Sequence, residues 1–378
     1  MRTERPLIGV NLLFVRPGYV GGTVRYAHEL LKHLAQLDRY RLIIYAQKGV
    51  IHSDTPALGG MLRREFSVMG GLAGRVLVEH VILPFVAQGD GVDLLFSPGF
   101  VSPLWGRFRK VVTIHDLYYR LFPQFVRPWQ RRYWQLFLPF SLRRVNAAIA
   151  VSNSTRADIC AAFPWALEKV KRIHLGADVL NRIEATRVDD RPYCLVVGNI
   201  TPNKNIEAIL AAFALLEKEG VDCRMVVAGS DLFSLLAQGL KSIPMALDVE
   251  MLEHVADDTL ASLYANALCL IQASHYEGFG LPVIEAMSAG CPVIASDIPV
   301  LREVGGTAAM YFPPESPADL SEAIRNLLED ERLRLRLISL GRENALCFEW
   351  RETARRTADL FDHVLGAATS PDLSSTWL

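Results

Sequence analysis

The sequence predicts an α/β protein made of two Rossmann-like, doubly wound domains that face a central cleft. Three observations lead to this fold class. Short apolar runs alternate with helical patterns through the first half of the chain, and the alternation starts again at Tyr193. The runs are continuously apolar, as in strands buried on both faces of a parallel sheet. A polar stretch without periodicity, 178–191, lies between the halves and is predicted to be a linker.

The first half contains the elements of one such domain in order. A strand over 7–14 precedes a loop with Gly18, Gly21 and Gly22, and apolar residues at helical spacing predict a helix over 24–37. Further buried strands are predicted over 41–46, 94–96, 111–114 and 147–151.

The second half repeats this order. A strand over 193–197 leads through a loop over 198–203 into a helix over 206–216. Further strands are predicted over 223–228, 267–272 and 292–295, and a long helix over 348–365.

These patterns divide the chain into an N-terminal domain, 1–178, and a C-terminal domain, 179–354. A C-terminal helix at about 355–370 is expected to pack back on the first domain. The small, polar tail from 366 to 378 is expected to be loose.

Composition excludes several classes of function. Of the 378 residues, 51% are hydrophobic and 21% are charged, which is typical of a globular protein, and the net charge of −1 argues against a binder of nucleic acid. The six cysteines form no CxxC or Cys/His cluster, so we expect buried free thiols and no zinc site. No apolar stretch approaches the ~20 residues that span a bilayer, and the N-terminal segment favours a strand over a signal peptide. We therefore expect a cytoplasmic protein.

A glycine-rich turn with a glutamate on each side is the strongest candidate site. Glu277 follows the predicted strand 267–272, and Glu285 is expected in the first turn or so of the next helix. Gly278 and Gly280 let the backbone approach a ligand, and helix-start amides bind phosphate. The two carboxylates could then accept hydrogen bonds from sugar and ribose hydroxyls. The alternative is a capping loop with two solvated glutamates.

The whole run EGFGLPVIEAMSAGCPVIAS, 277–296, resembles the signature of retaining GT-B glycosyltransferases of family 4. The resemblance covers nearly the whole chain, in the family's order and spacing. It includes GGTVRYAHEL (21–30), IHDL (114–117), AVSNSTRADI (150–159), VGNITPNKN (197–205), VADDTLASLYANA (255–267) and FEW (348–350).

The resemblance implies how the turn would hold a nucleotide-sugar. Glu277 is expected to contact the hydroxyls of the donor sugar, and Glu285 the ribose. The amides of Gly280 and Leu281 would take the diphosphate. The complete set of turn residues expected to bind the donor is Glu277, Gly278, Phe279, Gly280, Leu281 and Glu285.

Lys204 matches the basic residue that neutralises the departing diphosphate in this family. Family members commonly carry an arginine a few residues earlier, where this chain has Asn199, which supplies no charge. Another cation, with Arg25 as the candidate, would then compensate, or the leaving group would be held less tightly.

Three residues of the first half complete the expected site. Gly21 and Gly22 match the glycine loop that faces the donor phosphates and the acceptor, and His115 matches the histidine beside the reacting sugar. Without the resemblance, a lone histidine after an apolar strand would be interpreted as structural. Asp116 would either orient His115 or cap the segment that follows.

The resemblance implies a retaining hexosyltransferase with catalytic residues His115, Lys204 and Glu277. We expect a front-face reaction, in which the departing phosphate oxygen accepts the proton of the attacking hydroxyl. No DxD motif is present, which fits metal-independent transfer without a cofactor.

We expect mannose or rhamnose to be transferred to a glycan or lipid-linked acceptor in surface polysaccharide biosynthesis, with a GDP-linked donor favoured. UDP- and dTDP-sugars remain open. A sugar-nucleotide epimerase would need its own motifs, which are missing, and a catalytically silent scaffold that binds sugar-nucleotides is the alternative from another class.

The region 107–144 is basic and aromatic, with Asp116 as its one acidic residue. Its segment RPWQRRYWQLFLPFSLRR, 127–144, suits an anionic membrane surface or a phosphate-bearing lipid acceptor. The alternative is a partly buried helix with paired or solvated arginines. Nucleic acid is disfavoured, because no motif that recognises RNA or DNA accompanies the region.

Overall fold

A computed structural model describes residues 5–16, 21–50, 61–177, 191–199, 201–229, 248–253 and 255–366. The chain divides into two compact units: Met1–Leu175 with Trp350–Leu378, and Gly176–Glu349. Gly18, Ile200, most of the predicted linker and the tail from 367 lie outside the described residues.

The first unit contains a parallel sheet with the strand order β3-β2-β1-β4-β5-β6-β7. Its strands are β1 (Leu7–Asn11), β2 (Arg41–Gln47), β3 (Leu62–Phe66), β4 (Leu94–Ser97), β5 (Arg109–Ile114), β6 (Ala147–Ala150) and β7 (Val170–Arg172). Its α-helices are α1 (Gly22–Gln36), α2 (Gly71–Leu77), α3 (Leu83–Gly89), α4 (Tyr118–Leu121), α5 (Pro128–Arg144), α6 (Asn153–Ala162) and α13 (Trp350–Leu365). Short 3-10 helices span Pro123–Phe125 and Pro164–Lys169.

The first strand is shorter than the predicted 7–14. Pairing with β2 ends at Asn11, whose side-chain oxygen accepts the amide of Leu13 at 3.2 Å. This local bond turns the chain out of the ladder, although Leu12 and Leu13 are fully buried. Apolar periodicity reports burial, so it cannot show where the pairing stops.

The second unit contains a parallel sheet with the order β10-β9-β8-β11-β12-β13. Its strands are β8 (Tyr193–Val197), β9 (Arg224–Ala228), β10 (Val249–Leu252), β11 (Cys269–Gln272), β12 (Val293–Ser296) and β13 (Met310–Phe312). Its helices are α7 (Ile206–Lys218), α8 (Asp257–Asn266), α9 (Leu281–Ala289), α10 (Pro299–Gly305), α11 (Pro317–Glu329) and α12 (Glu331–Ala345). A 3-10 turn spans Pro202–Lys204.

Two parallel, helix-flanked sheets confirm the predicted fold class of two Rossmann-like domains. The strand predicted over 193–197 is confirmed, whereas the strand predicted over 267–272 begins only at Cys269. The amide of Ala267 still bonds to the carbonyl of Leu263, so the end of α8 occupies that position. All six cysteines are free thiols, as predicted, but only Cys194, Cys269 and Cys291 are buried, whereas Cys160 and Cys223 are half-buried and Cys347 is exposed.

The last helix, α13, belongs to the first unit. The Tyr40 hydroxyl donates to the carbonyl of Ala358 at 2.7 Å, and the ring of Trp350 lies 6.1 Å from that of Tyr26. Phe361 is fully buried against Phe96 of β4. The C-terminal end of the described chain is therefore part of the core built by β1 to β7.

One helical stretch, Gly71–Gly89, corrects the expectation that no apolar segment approaches the length of a membrane span. It joins α2 and α3 through a π-helical turn, Val78–Ile82, into 19 residues that are long and apolar enough to cross a membrane. The sequence hides this continuity, because Gly74 and Pro84 suggest breaks. Length and composition alone are weak evidence of a span, since helices of globular cores share both. Val78, Leu83 and Ala87 of this stretch pack in a core cluster of the first unit.

A buried polar network attaches this stretch to the sheet. The Glu79 carboxylate is fully buried and accepts the Asn11 amide at 2.8 Å and the Arg75 guanidinium at 3.2 Å. The side chain of Arg75 is 13% exposed. A carboxylate in this position depends on its cation, because desolvation penalises an unpaired charge heavily.

Replacing Arg75 with Leu should therefore lower the free energy of unfolding by about 3–5 kcal/mol, because it leaves Glu79 buried without a cation. Urea denaturation measures the change. The matched control is Arg64→Leu, which removes a 58%-exposed arginine paired with Asp90 and should leave the free energy of unfolding nearly unchanged. Equal midpoints for the two variants would contradict the structural role of the buried pair.

Candidate active site

The candidate site of the second unit lies at the carboxyl ends of β8 and β11. These strands are neighbours, with Cys269 paired to Cys194, so the loops that follow them come together. A pocket between the loops is lined by Asn199 and Lys204 after β8 and by Gln272 and Ser274 at the end of β11. Ligands of open parallel sheets bind at this edge.

Glu277 is the centre of a hydrogen-bond cluster in this pocket region. Its Oε1 atom accepts the Lys204 ammonium at 2.5 Å, the Gln272 amide at 2.7 Å and the Ser274 hydroxyl at 2.7 Å. The Lys204 and Glu277 side chains are 21% and 14% exposed. The structure therefore brings together two of the predicted catalytic residues, Lys204 and Glu277.

Backbone contacts hold the two loops in register. The amide of His275 donates to the carbonyl of Asn203 at 2.8 Å, and the Asn203 side chain donates to the carbonyl of Tyr276 at 3.1 Å. Asn205 follows Lys204 in the left-handed conformation, with φ 54°, which asparagine tolerates better than most residues. These contacts fix the direction from which Lys204 reaches Glu277.

The helix start after the turn has the geometry that the sequence predicts. Gly280 caps α9 with φ 106°, and a Cβ atom there would lie 2.9 Å from the Leu301 side chain. Leu281 is the first helical residue, and Pro282 follows it without an amide proton. Gly278 lies in the turn, and Phe279 is buried with its ring 5.9 Å from that of Phe348. The Phe279 side chain therefore packs the turn against Phe348 of the second unit.

Glu285 lies deeper in the helix than expected. It is the fifth residue of α9, beyond the first turn, and only 5% of it is exposed. Its Oε2 atom accepts the hydroxyl of the fully buried Tyr264 at 3.0 Å. Glu285 is buried, and Glu277 is held by three hydrogen bonds with its side chain 14% exposed, so the alternative of two solvated glutamates is ruled out.

His115 follows β5 in the first unit and is 8% exposed. Its Nε2 atom donates to the carbonyl of Pro98 at 2.8 Å, and the Tyr26 ring lies edge-on at 4.9 Å. This bond assigns the proton to Nε2 and leaves Nδ1 as an acceptor. Burial lowers the pKa of the imidazole to about 4, so His115 is neutral at physiological pH.

The other candidates of the first unit lie at the start of α1 and just after the end of β5. Gly22 is the first residue of α1, Gly21 precedes it in extended conformation, and Arg25 lies in its first turn. The Asp116 carboxylate accepts the amide of Tyr118 at 2.9 Å, which supports the capping alternative over an orienting role for His115.

Sequence reasoning missed three residues of the site: Gln272, Ser274 and Tyr264. Gln272 and Ser274 bond to Glu277, and Tyr264 bonds to Glu285. A glutamine at the end of a continuously apolar strand was the available signal. Tyr264 gave none, because a tyrosine on an amphipathic helix is ordinarily part of the core.

Two family models match consecutive parts of the chain. Residues 20–179 match the model described as Glycosyltransferase Family 4, and residues 180–344 match the model described as Glycosyl transferases group 1.

Two relatives of this chain are named as mannosyltransferases. The serotype-specific mannosyltransferase WbdA of Escherichia coli is 31% identical over 302 residues, covering 74% of this chain and 35% of WbdA. The O-antigen chain mannosyltransferase B of Escherichia coli is 28% identical over 270 residues, covering 67% of this chain and 70% of that protein. The chain thus spans about a third of the length of WbdA.

Among solved structures, Anabaena HepE in complex with UDP and glucose superimposes with a TM-score of 0.74. The match covers 95% of this chain and all of HepE at 18% identity. At this identity the likeness shows the shared two-domain fold.

The depressed pKa of His115 predicts how stability depends on pH. An unfolded chain titrates histidine near ~6.5 and the folded chain near about 4, so the unfolded state binds more protons between these values. The free energy of unfolding should therefore fall as pH drops through this window, by on the order of 3 kcal/mol for this group. His115→Gln should flatten the slope in urea denaturation from pH 7 to pH 4. An unchanged slope, equal to that of the exposed-site control His363→Gln, would contradict the burial of a neutral imidazole.

Proposed function

Because the chain belongs to the group 1, family 4 glycosyltransferases, we propose that it is a retaining hexosyltransferase that uses a GDP-linked donor. The hexose is mannose or rhamnose, and mannose is favoured by the similarity to the mannosyltransferases WbdA and B of Escherichia coli. The acceptor is a glycan or lipid-linked glycan of a surface polysaccharide. The UDP complex of HepE keeps UDP-sugars, with dTDP-sugars, as the alternative donors.

The observation that carries this proposal is the cluster of Lys204 and Glu277 beside the start of α9. The contact between the two side chains uses one of the three N–H donors of the ammonium, so others are available for phosphate oxygens. The amides of Gly280 and Leu281 lie at the N-terminus of α9, where the helix dipole adds partial positive charge for the phosphates. Glu277 then binds the donor sugar, and the buried Glu285 binds the ribose.

The proposed chemistry is a front-face displacement. The bond from the anomeric carbon to the phosphate oxygen breaks, and the acceptor oxygen bonds to the same face of that carbon. The departing phosphate oxygen accepts the proton of the acceptor hydroxyl. Lys204 and the helix-start amides stabilise the charge that builds on the leaving group, in place of a metal ion or cofactor.

The first unit supplies acceptor recognition in this proposal. His115 is neutral, so it acts through hydrogen bonds of Nδ1 rather than as a proton donor. Gly21 and Gly22 allow close approach of the phosphates and the acceptor. Asn199 has a neutral amide at the position where family members commonly carry an arginine. We propose that Arg25 supplies the missing positive charge.

We further propose that the protein binds an anionic membrane surface peripherally, through the first unit. At 100° per residue, Trp129, Arg132, Leu136, Phe140 and Arg143 of α5 fall within one narrow stripe. Trp129, Leu136 and Phe140 are 42%, 54% and 46% exposed, and both arginines are exposed. This combination suits lipid head groups with an apolar layer beneath them.

The structure also shows which aromatic residues of α5 do not belong to this surface. Tyr133 is buried, and Trp134 and Phe137 are partly buried in the same core cluster. These three rings pack wholly or partly against the core, so the proposed membrane surface is smaller than the aromatic content of 127–144 indicates. The His80 ring stacks on Phe137 at 4.5 Å, which places the stretch Gly71–Gly89 beside α5.

Turnover tests the enzymatic proposal. Glu277→Ala should lower the release of GDP from GDP-mannose, with a mannoside acceptor, by ~100-fold or more, because the reacting sugar loses a group that positions it. Glu322→Ala, at an exposed position of α11, is the control and should react normally. Near-normal turnover of Glu277→Ala would remove Glu277 from the site.

A thermal-shift panel of GDP-, UDP- and dTDP-sugars identifies the donor, since a ligand that binds only the folded state raises the melting temperature. Binding without turnover of any sugar-nucleotide would favour the silent scaffold.

Liposome sedimentation tests the membrane proposal. Replacing Arg132 and Arg143, the two exposed arginines of the stripe, with Gln should weaken binding to anionic vesicles about 30-fold, at ~1 kcal/mol per charge, and the difference should shrink as salt rises. The matched control replaces Arg332 and Arg336, two exposed arginines of α12, and should bind as the unmodified protein does. Equal binding by both double variants would leave α5 with a structural role only.

A further inference from the structure

We infer that Gln272 and Ser274 are positioning residues, which hold Glu277 for the donor sugar independently of Lys204. This inference rests on the proposed function of the site. In this inference, the two neutral side chains hold the Glu277 carboxylate in place. Its other oxygen, Oε2, then accepts a hydrogen bond from a hydroxyl of the hexose.

The first step is the direction of the bonds. The Gln272 amide donates to the Ser274 hydroxyl oxygen at 3.2 Å and to Glu277 Oε1 at 2.7 Å. Ser274 therefore accepts from Gln272 and donates its own proton to Glu277 at 2.7 Å. The three side chains form a closed triangle of bonds, in which each donor has a defined acceptor.

The second step is burial. Gln272 is 2% exposed and Ser274 is fully buried, and Gln272 ends a strand whose preceding residues, Cys269–Ile271, lie in the core. Placing an amide there costs free energy unless it is hydrogen-bonded. The bonds to Ser274 and Glu277 satisfy the donor, and the packing around Gln272 fixes its position. The support beneath Glu277 is therefore rigid.

The third step concerns the different surroundings of the two oxygens of the Glu277 carboxylate. Three donors converge on Oε1, and within the described part of the chain no hydrogen bond joins a side chain or amide to Oε2. A carboxylate oxygen of this kind retains its capacity to accept hydroxyl protons. The neutral donors hold Glu277 without cancelling its charge, so Oε2 stays a strong acceptor for a sugar hydroxyl.

The fourth step concerns Lys204. Its ammonium is assigned to the diphosphate, so its hold on Glu277 is expected to loosen when a donor binds and again when the diphosphate leaves. A carboxylate held only by that lysine would move with it. Gln272 and Ser274 maintain the Glu277 geometry throughout, which separates sugar recognition from leaving-group stabilisation.

The test uses Gln272→Met and Ser274→Ala in the full-length protein. Each should lower kcat/KM for GDP-mannose about tenfold to a hundredfold, as expected for losing a hydrogen bond to a charged group. The affinity for GDP alone should be unchanged by calorimetry, because GDP has no hexose, and this binding also shows that each variant is folded. Ser274→Thr keeps the hydroxyl and should restore most of the activity.

A double-mutant cycle separates positioning from a general structural role. In a Glu277→Ala background, adding Gln272→Met should cause no further loss of kcat/KM, because the residue acts through Glu277. Additive losses, weakened GDP binding or unchanged kcat/KM of both single variants would overturn the inference and leave the proposed function standing. Normal turnover of Glu277→Ala itself would overturn the proposed site, and this inference with it.

Discussion

The convergence of three donors on one oxygen of Glu277 is the constraint on which the candidate site depends. It requires β8 and β11 to be adjacent, because Lys204 follows one strand and Gln272, Ser274 and Glu277 end or follow the other. The parallel direction brings both carboxyl ends to the same edge. The fold of the second unit therefore explains why residues 73 positions apart share one hydrogen bond. Nothing comparable is needed to stabilise a sheet, which supports the binding role that we propose for the cluster.

The two glutamates of the turn are held by different means, and this suits different tasks. Glu277 is partly exposed and keeps one oxygen available beside a cation. Glu285 is buried, and the hydroxyl of Tyr264 supports it. A buried carboxylate presents a fixed acceptor to a neutral hydroxyl, whereas the Glu277 carboxylate lies next to the ammonium that we assign to the diphosphate. This difference supports assigning Glu277 to the reacting sugar and Glu285 to the ribose in our proposal.

The sequence is sufficient for the central strands of both sheets, because these are apolar on both faces and stand out as short runs, such as Tyr193–Val197. It does not reveal the four edge strands, β3, β7, β10 and β13. It is sufficient for the turn because glycine, proline and the helix cap have local rules. It fails where tertiary packing decides. The burial of Tyr133 beside the exposed Leu136 follows from which face of α5 meets the sheet, and an aromatic helix with apolar residues all round does not specify that face. The partners of Gln272 likewise depend on a loop that no spacing rule describes.

The stretch Gly71–Gly89 inverts the usual arrangement of a surface helix, and this bears on the proposed membrane contact. Its charged residues Arg75 and Glu79 face the interior as a bonded pair, while Leu77 and Phe85 are 54% and 65% exposed. The π-helical turn between α2 and α3 adds a residue to one turn and so shifts the outward face. Exposed apolar side chains gain about 25 cal/mol for each Å² that a partner removes from water. An apolar outward face beside the arginine-bearing stripe of α5 is therefore what a lipid surface would stabilise, and the buried ion pair keeps opposing charge away from it.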